Sequence, residues 1–126
     1  MNALPPFGLG RPRTELRRQL VDAALRGEKT ATAGLLAEYE ADGEQPETVG
    51  SRAALLGYDD EPVAVVEITE SRVVPAAEID TRFARDEGEG YASTSEWRAA
   101  HERFFGRSIE PGTEIVAIRF RVVERL

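Results

Sequence analysis

The sequence predicts an α+β domain: a small, curved, barrel-like sheet of mostly antiparallel strands, with helices packed outside it. Three observations support this class. Two segments carry apolar residues at helical spacing, several short segments are rich in β-branched residues, and the last segment alternates apolar and polar residues. A chain of 126 residues is long enough for one hydrophobic core. We therefore expect the order helix, strand, strand, strand, helices, strand.

The first elements follow from local signals. Prolines and glycines crowd residues 1–12, which predicts an irregular leader before a single domain at 13–126. Thr14 is a typical N-cap for the helix that follows, and Gly27 is typical of its end. Strands are predicted at residues 30–36, 52–58 and 63–74, with an acidic loop at 39–47 and a hairpin connection at 59–62.

The second half of the chain predicts two helices and a strand. A short helix is expected at residues 78–85. Ser93 and Glu96 form a capping-box pattern for a helix that runs to Phe105. The strand expected at 113–124 has inward residues at alternate positions: Val116, Ile118, Phe120 and Val122.

Composition narrows the possible functions. The net charge of −7 argues against a protein that coats duplex nucleic acid, because phosphate neutralisation supplies most of that affinity. The absence of cysteine excludes disulfides and thiolate metal sites, and no apolar run approaches the roughly 20 residues of a membrane span. We expect a cytoplasmic protein with no membrane association and no extended duplex DNA binding.

The first candidate site surrounds Lys29, the only lysine among 16 basic residues. The sequence Gly27-Glu28-Lys29-Thr30-Ala31-Thr32 is not a phosphate-binding P-loop, since a helix precedes the lysine instead of following it. A lysine withdrawn from water can act as a base, and could deprotonate the hydroxyl of Thr32. The alternative is a solvated lysine beside two threonines that simply favour a strand.

Two further segments carry candidate groups. Residues 86–91 (Asp-Glu-Gly-Glu-Gly-Tyr) could present Glu87 or Glu89 to a site, or form a solvated acidic turn. With no histidine among these carboxylates we predict no metal and no other cofactor. On the following helix, Trp97 and His101 are expected to be packing residues or ligand contacts, and Arg98 could face a phosphate or a base.

Together these motifs resemble a known family. The helix followed by Gly27-x-Lys29-Thr30-x-Thr32, the stretch from Glu87 to Phe105 and the alternating last strand resemble a stand-alone bacterial ASCH-domain protein, over about residues 16–123. The resemblance implies a PUA-like β-barrel with a cleft that binds RNA or modified nucleosides. One branch of the family hydrolyses the amide of N4-acetylcytidine with a lysine, a threonine three residues later and a glutamate, which correspond here to Lys29, Thr32 and Glu87.

Three functions follow from the resemblance. The first is amide hydrolysis on an N4-acylated cytidine by Lys29, Thr32 and Glu87. The second is cleavage of single-stranded RNA, since another stand-alone relative is a ribonuclease. The third is binding of RNA or a nucleoside without turnover. Thr30, Glu89, Trp97, Arg98 and His101 are the expected ligand contacts. The chain departs from the family at Gly34, where many ASCH domains have an arginine five residues after the lysine.

Overall fold

The computed structural model describes residues 3–126 and contains a five-stranded sheet with four α-helices. The strands are β1 (Pro6–Phe7), β2 (Ala31–Leu35), β3 (Arg52–Leu56), β4 (Pro62–Pro75) and β5 (Glu114–Arg125). The helices are α1 (Glu15–Arg26), α2 (Leu36–Ala41), α3 (Thr81–Asp86) and α4 (Thr94–Phe105), with a 3₁₀ turn at Ala76–Glu78. The α+β class is confirmed.

The sheet differs from the expected barrel. Its strand order is β1-β3-β4-β5-β2, with β1 parallel to β3 and the other three pairings antiparallel. Within residues 3–126 it is an open sheet, whose edges are β1 and β2. The expected barrel-like sheet is therefore not closed into a barrel. Edge strand β1 has only two residues, and both pair with β3.

The strongest local signals place α1 and α4 as predicted. The Thr14 hydroxyl accepts a hydrogen bond from Arg17 N at 3.1 Å, and Ser93 does the same for Glu96 N at 3.2 Å. Gly27, with φ of 81°, ends α1 in the left-handed conformation that favours glycine. Each helix therefore begins and ends where its capping residues specify.

Two elements were not predicted. The predicted acidic loop at 39–47 begins inside α2, which has no side-chain cap at its N-terminus. Residues 3–12 of the predicted leader include β1, and Phe7 and Leu9 are buried in the core, so this segment is not uniformly irregular. Met1 and Asn2 of that leader lie outside the described residues.

Arg17 holds the N-terminal segment in place. Its buried guanidinium donates to Leu9 O at 2.7 Å, Gly10 O at 3.0 Å and Gly57 O at 2.9 Å, and it pairs with Asp60 at 2.9 Å. One side chain thus satisfies carbonyls from the N-terminal segment and the β3–β4 connection.

The sheet buries residues on both of its faces. One core cluster packs β3, β4 and β5 against β1 and α1, and includes Val66, Ile68 and Phe120. The other packs β2 and the first half of β5 against α3 and α4, and includes Phe83, Trp97 and Ile115. The expected alternation of β5 is consequently incomplete, because Ile115 and Val116 are both fully buried. In the described part of the chain, every helix is too short or too polar to cross a bilayer.

Candidate nucleoside-binding cavity

Lys29 is delivered into the protein interior by the end of α1. After Gly27 reverses the chain, the backbone N–H groups of Glu28 and Lys29 both donate to Ala23 O, at 2.9 and 3.1 Å. Thr30 N then donates to Asp86 O at 2.8 Å, which fixes the start of β2 against the end of α3. Lys29 is consequently only 2% exposed, so it is not the solvated surface lysine that the sequence left open.

The Lys29 ammonium lies among groups of the α3–α4 loop. Nζ donates to Glu87 O at 3.2 Å, and it lies 3.8 Å from Glu87 Oε1 and 3.7 Å from Glu89 Oε2. The two carboxylates attract the ammonium, but neither is within hydrogen-bond distance of it. An ammonium has three N–H donors, so Lys29 retains donors for a ligand.

Glu87 is also buried, at 1% exposed, and is held from the side of α4. Its Oε2 accepts a hydrogen bond from Trp97 Nε1, and its Oε1 lies 3.2 Å from His101 Nε2. The Trp97 and His101 rings stack with centroids 4.4 Å apart. The residue is therefore a buried, fixed carboxylate and not part of a solvated turn.

The hydrogen bonds of His101 locate a proton. Its Nδ1 lies 2.8 Å from Trp97 O, and because a carbonyl oxygen can only accept, Nδ1 carries a hydrogen. The contact between Nε2 and Glu87 then requires one more proton, shared between imidazole and carboxylate. Burial is the largest single influence and lowers the pKa of His101, but the hydrogen bonds with Glu87 and Trp97 O and the charges of Glu87 and Glu89 together leave that pKa raised.

The loop reaches Lys29 because Gly88 has no side chain. Gly88 has φ of 73°, and a Cβ there would lie 2.7 Å from Glu28 O and 2.9 Å from Lys29 Cα. Any larger residue would push the loop away from the backbone of Lys29. Gly90 also has a positive φ, of 82°, but a Cβ there would have no atom within 4 Å.

A cavity of about 470 Å³ opens above these groups. This volume is within the range of small-molecule sites. Lys29, Thr32, Glu87, Glu89 and His101 line it. Its apolar and aromatic walls come from β1, α1, β2, α2, the α3–α4 loop and α4, and include Phe7, Leu20, Tyr39, Tyr91, Phe104 and Phe105.

Comparison with known proteins assigns the fold to a family. The family model of the ASCH domain matches residues 9–124, which is most of the chain. The chain belongs to the ASCH domain family. The predicted resemblance is confirmed at this level.

Solved structures agree with the family. This ASCH domain is similar to protein EF3133 from Enterococcus faecalis V583, with 25% identity and a TM-score of 0.86 over 99% of this chain and 79% of that chain. It is also similar to an ASCH domain from Lactobacillus crispatus JV V101, with 27% identity and a TM-score of 0.82 over 98% and 81% of the two chains. No curated protein matches this chain.

The cavity of this ASCH domain brings together five of the eight predicted site residues. Three do not line it. The Thr30 hydroxyl is directed to Asp86 O at 3.5 Å. Trp97 is buried behind Glu87, and Arg98 is exposed beside a separate shallow groove. In residues 3–126, no group of three or more Asp, Glu or His side chains is placed to hold a metal ion.

Several lining residues were not predicted from the sequence. Tyr39 lies against Gly34, where a Cβ would be 3.1 Å from Tyr39 Cε1, and its hydroxyl donates to Glu47 at 2.8 Å. Tyr91 follows the glycine-rich loop, and burial together with the charges of Glu89 and Glu87 raises its pKa. The sequence signal that could have identified Tyr91 as a lining residue is its position directly after Gly90 in the glycine-rich loop.

Proposed function

We propose that this ASCH domain binds an N4-acylated cytidine in the cavity and hydrolyses its amide. Thr32 is the nucleophile, Lys29 the base, and Glu87 the carboxylate that positions Lys29. The observation that carries the proposal is the fully buried lysine, which lines the same cavity as a threonine hydroxyl and a buried glutamate. A buried amine, a carboxylate and a hydroxyl that converge on one cavity are typical of catalytic sites.

The proposed reaction has two steps. Lys29 first releases a proton to solvent, and the resulting neutral amine accepts the proton of the Thr32 hydroxyl as Oγ1 bonds to the acyl carbon. Collapse of the tetrahedral intermediate breaks the C–N4 bond, and the departing amine takes the proton from Lys29. Water then attacks the threonine ester with Lys29 again accepting and returning a proton, which releases the carboxylic acid and restores Thr32.

Aromatic side chains supply the expected binding surface for the base. Tyr39, Tyr91, Phe104 and Phe105 line the cavity, and aromatic rings are the common partners of unstacked bases. This feature also favours a second candidate, recognition of one base of single-stranded RNA without turnover. Ribonuclease activity has less support, because Arg98, its expected phosphate contact, lies beside a different groove.

Release of cytidine from N4-acetylcytidine tests the proposal. Thr32→Val is expected to lower kcat by at least about a thousandfold, as removal of a nucleophile does in other enzymes. Lys29→Met and Glu87→Gln keep side-chain size and are expected to lower kcat strongly.

Thr30→Val is the matched comparison, since it makes the same change to a hydroxyl outside the cavity. It is expected to retain at least about ten times the activity of Thr32→Val. Circular dichroism and thermal melting check that each variant folds. Full activity in folded Lys29→Met, or no cytidine release by the unmodified protein, contradicts the hydrolase. Saturable binding of the nucleoside without turnover supports the second candidate instead.

A further inference from the structure

The ionisable residues that line the cavity are mostly acidic. Among the described residues, its carboxylates are Glu44, Glu47, Glu87 and Glu89, whereas Lys29 is its one lysine or arginine. His101 is the remaining titratable base. The cavity therefore has a net negative charge even when His101 is protonated.

Neither cation is free to neutralise a ligand. The Lys29 ammonium lies within 4 Å of two carboxylates, and the His101 ring nitrogens face Glu87 and the Trp97 carbonyl. Arg11 is not part of the lining, although its guanidinium lies over the ring of Phe104, a lining residue, 5.3 Å from the ring centroid. A bound phosphate would thus find no unpaired cation in the lining.

The loop after α2 adds negative charge beside the wall formed by β2 and α2. Gly34 contributes no side chain, and the ring of Tyr39 occupies the adjacent space. The Tyr39 hydroxyl holds Glu47 at 2.8 Å, so this carboxylate is half-buried at the wall. Glu44, which is exposed, is also in the lining, and its backbone N–H donates to Tyr39 O at 2.8 Å.

We propose that the cavity accepts an uncharged nucleoside and excludes the corresponding 5′-phosphate and RNA, with Glu44 and Glu47 as the residues that repel phosphate. The proposal rests on the proposed function and adds to it the charge class of the ligand. A nucleoside can use the remaining N–H donors of Lys29 and the aromatic walls without any counter-charge. A phosphate would bring like charge near Glu44 and Glu47, and around the half-buried Glu47 repulsion is stronger than in bulk water.

The test compares N4-acetylcytidine with its 5′-monophosphate by isothermal titration calorimetry. Thr32→Val is used as the host protein so that neither ligand is turned over. We expect the nucleoside to bind at least about tenfold more tightly at low salt. Added salt should reduce this difference between the two affinities, because ions screen interactions between exposed charges.

A matched pair of double variants assigns the effect to its residues. Glu44→Gln with Glu47→Gln removes two charges from the lining, and the new amide at position 47 retains an oxygen that can accept from Tyr39. Glu38→Gln with Glu40→Gln removes two charges from α2 outside the lining. The Glu44/Glu47 double variant is expected to reduce the ratio of nucleoside affinity to 5′-monophosphate affinity at least about threefold. The Glu38/Glu40 double variant is expected to leave this affinity ratio unchanged.

The failures of the two proposals are distinguishable. Equal or tighter binding of the 5′-monophosphate, or of a short single-stranded RNA containing the modified base, overturns the exclusion and leaves nucleoside binding standing. If the two double variants have equal ratios of nucleoside affinity to 5′-monophosphate affinity, the role given to Glu44 and Glu47 is overturned. Absence of binding by either ligand overturns the proposed function together with this inference.

Discussion

Replacement of Gly88 by alanine is expected to move the loop that carries Glu87 away from Lys29. Gly88 and Gly90 both have positive φ, so alanine at either position costs about 1 kcal/mol in backbone strain. Only at Gly88 would the new Cβ meet backbone, 2.7 Å from Glu28 O and 2.9 Å from Lys29 Cα. Relief of this overlap requires the loop to move by several tenths of an ångström, which adds about 2 kcal/mol.

We therefore expect Gly88→Ala to lower the free energy of unfolding by about 3 kcal/mol and Gly90→Ala by about 1 kcal/mol. Urea denaturation followed by tryptophan fluorescence measures both, and Trp97 reports directly on the side of Glu87. Because the displaced loop carries Glu87, Gly88→Ala should also weaken N4-acetylcytidine binding, whereas Gly90→Ala should not. Equal losses of stability in the two variants would refute the close approach on which the Lys29–Glu87 contact depends.

Three other expectations concern the frame around the cavity. Arg17→Met should lower the free energy of unfolding by about 3 kcal/mol because it leaves buried carbonyls unpaired. Asp60→Asn changes the half-exposed partner of Arg17 and should lower it by less than about 1 kcal/mol. Urea denaturation compares the two variants. His101→Gln should lower the free energy of unfolding most below pH 6.5. Because the pKa of His101 is raised in the folded protein, its pairing with Glu87 stabilises the fold fully below that pH and less as the pH rises through the folded-state pKa. A difference in the free energy of unfolding from wild type that is constant between pH 5 and 9 contradicts the shared proton. Ser93→Ala should cost about 1 kcal/mol through loss of the α4 cap, and an unchanged melting temperature would refute that contribution.

Local sequence signals account for the elements that were predicted. Thr14 and Ser93 accept the hydrogen bonds of their helix N-termini, and Gly27 adopts the conformation that ends α1, so these boundaries depend on neighbouring residues alone. Helix α2 lacks such a cap and follows β2 without a break, which is why residues 39–41 were interpreted as loop.

Features that depend on distant residues were not predictable in this way. Strand β1 exists because Pro6 and Phe7 pair with β3, across most of the first half of the chain. Arg17 is a charged residue of α1, yet it is buried because carbonyls from two other segments converge on it. A single polar residue on a helix carries no sign of such partners.

The candidate site divides in the same way. The approach of Lys29 to Glu87, 58 positions later in the chain, is invisible in residue spacing and was anticipated only from the family resemblance. Glu87 was nevertheless recognisable as unusual from its glycine-rich loop. The Tyr39–Glu47 wall was missed because it forms only when α2 folds back over Gly34.

A crystal structure of the Thr32→Val variant with N4-acetylcytidine would show whether the acyl group lies beside Lys29. We expect the base to lie between the aromatic walls and the acyl carbonyl group to lie within about 4 Å of both Lys29 Nζ and the side chain at position 32. A ligand bound at the groove beside Arg98, or with its acyl group directed away from Lys29, would contradict the catalytic role proposed for Lys29.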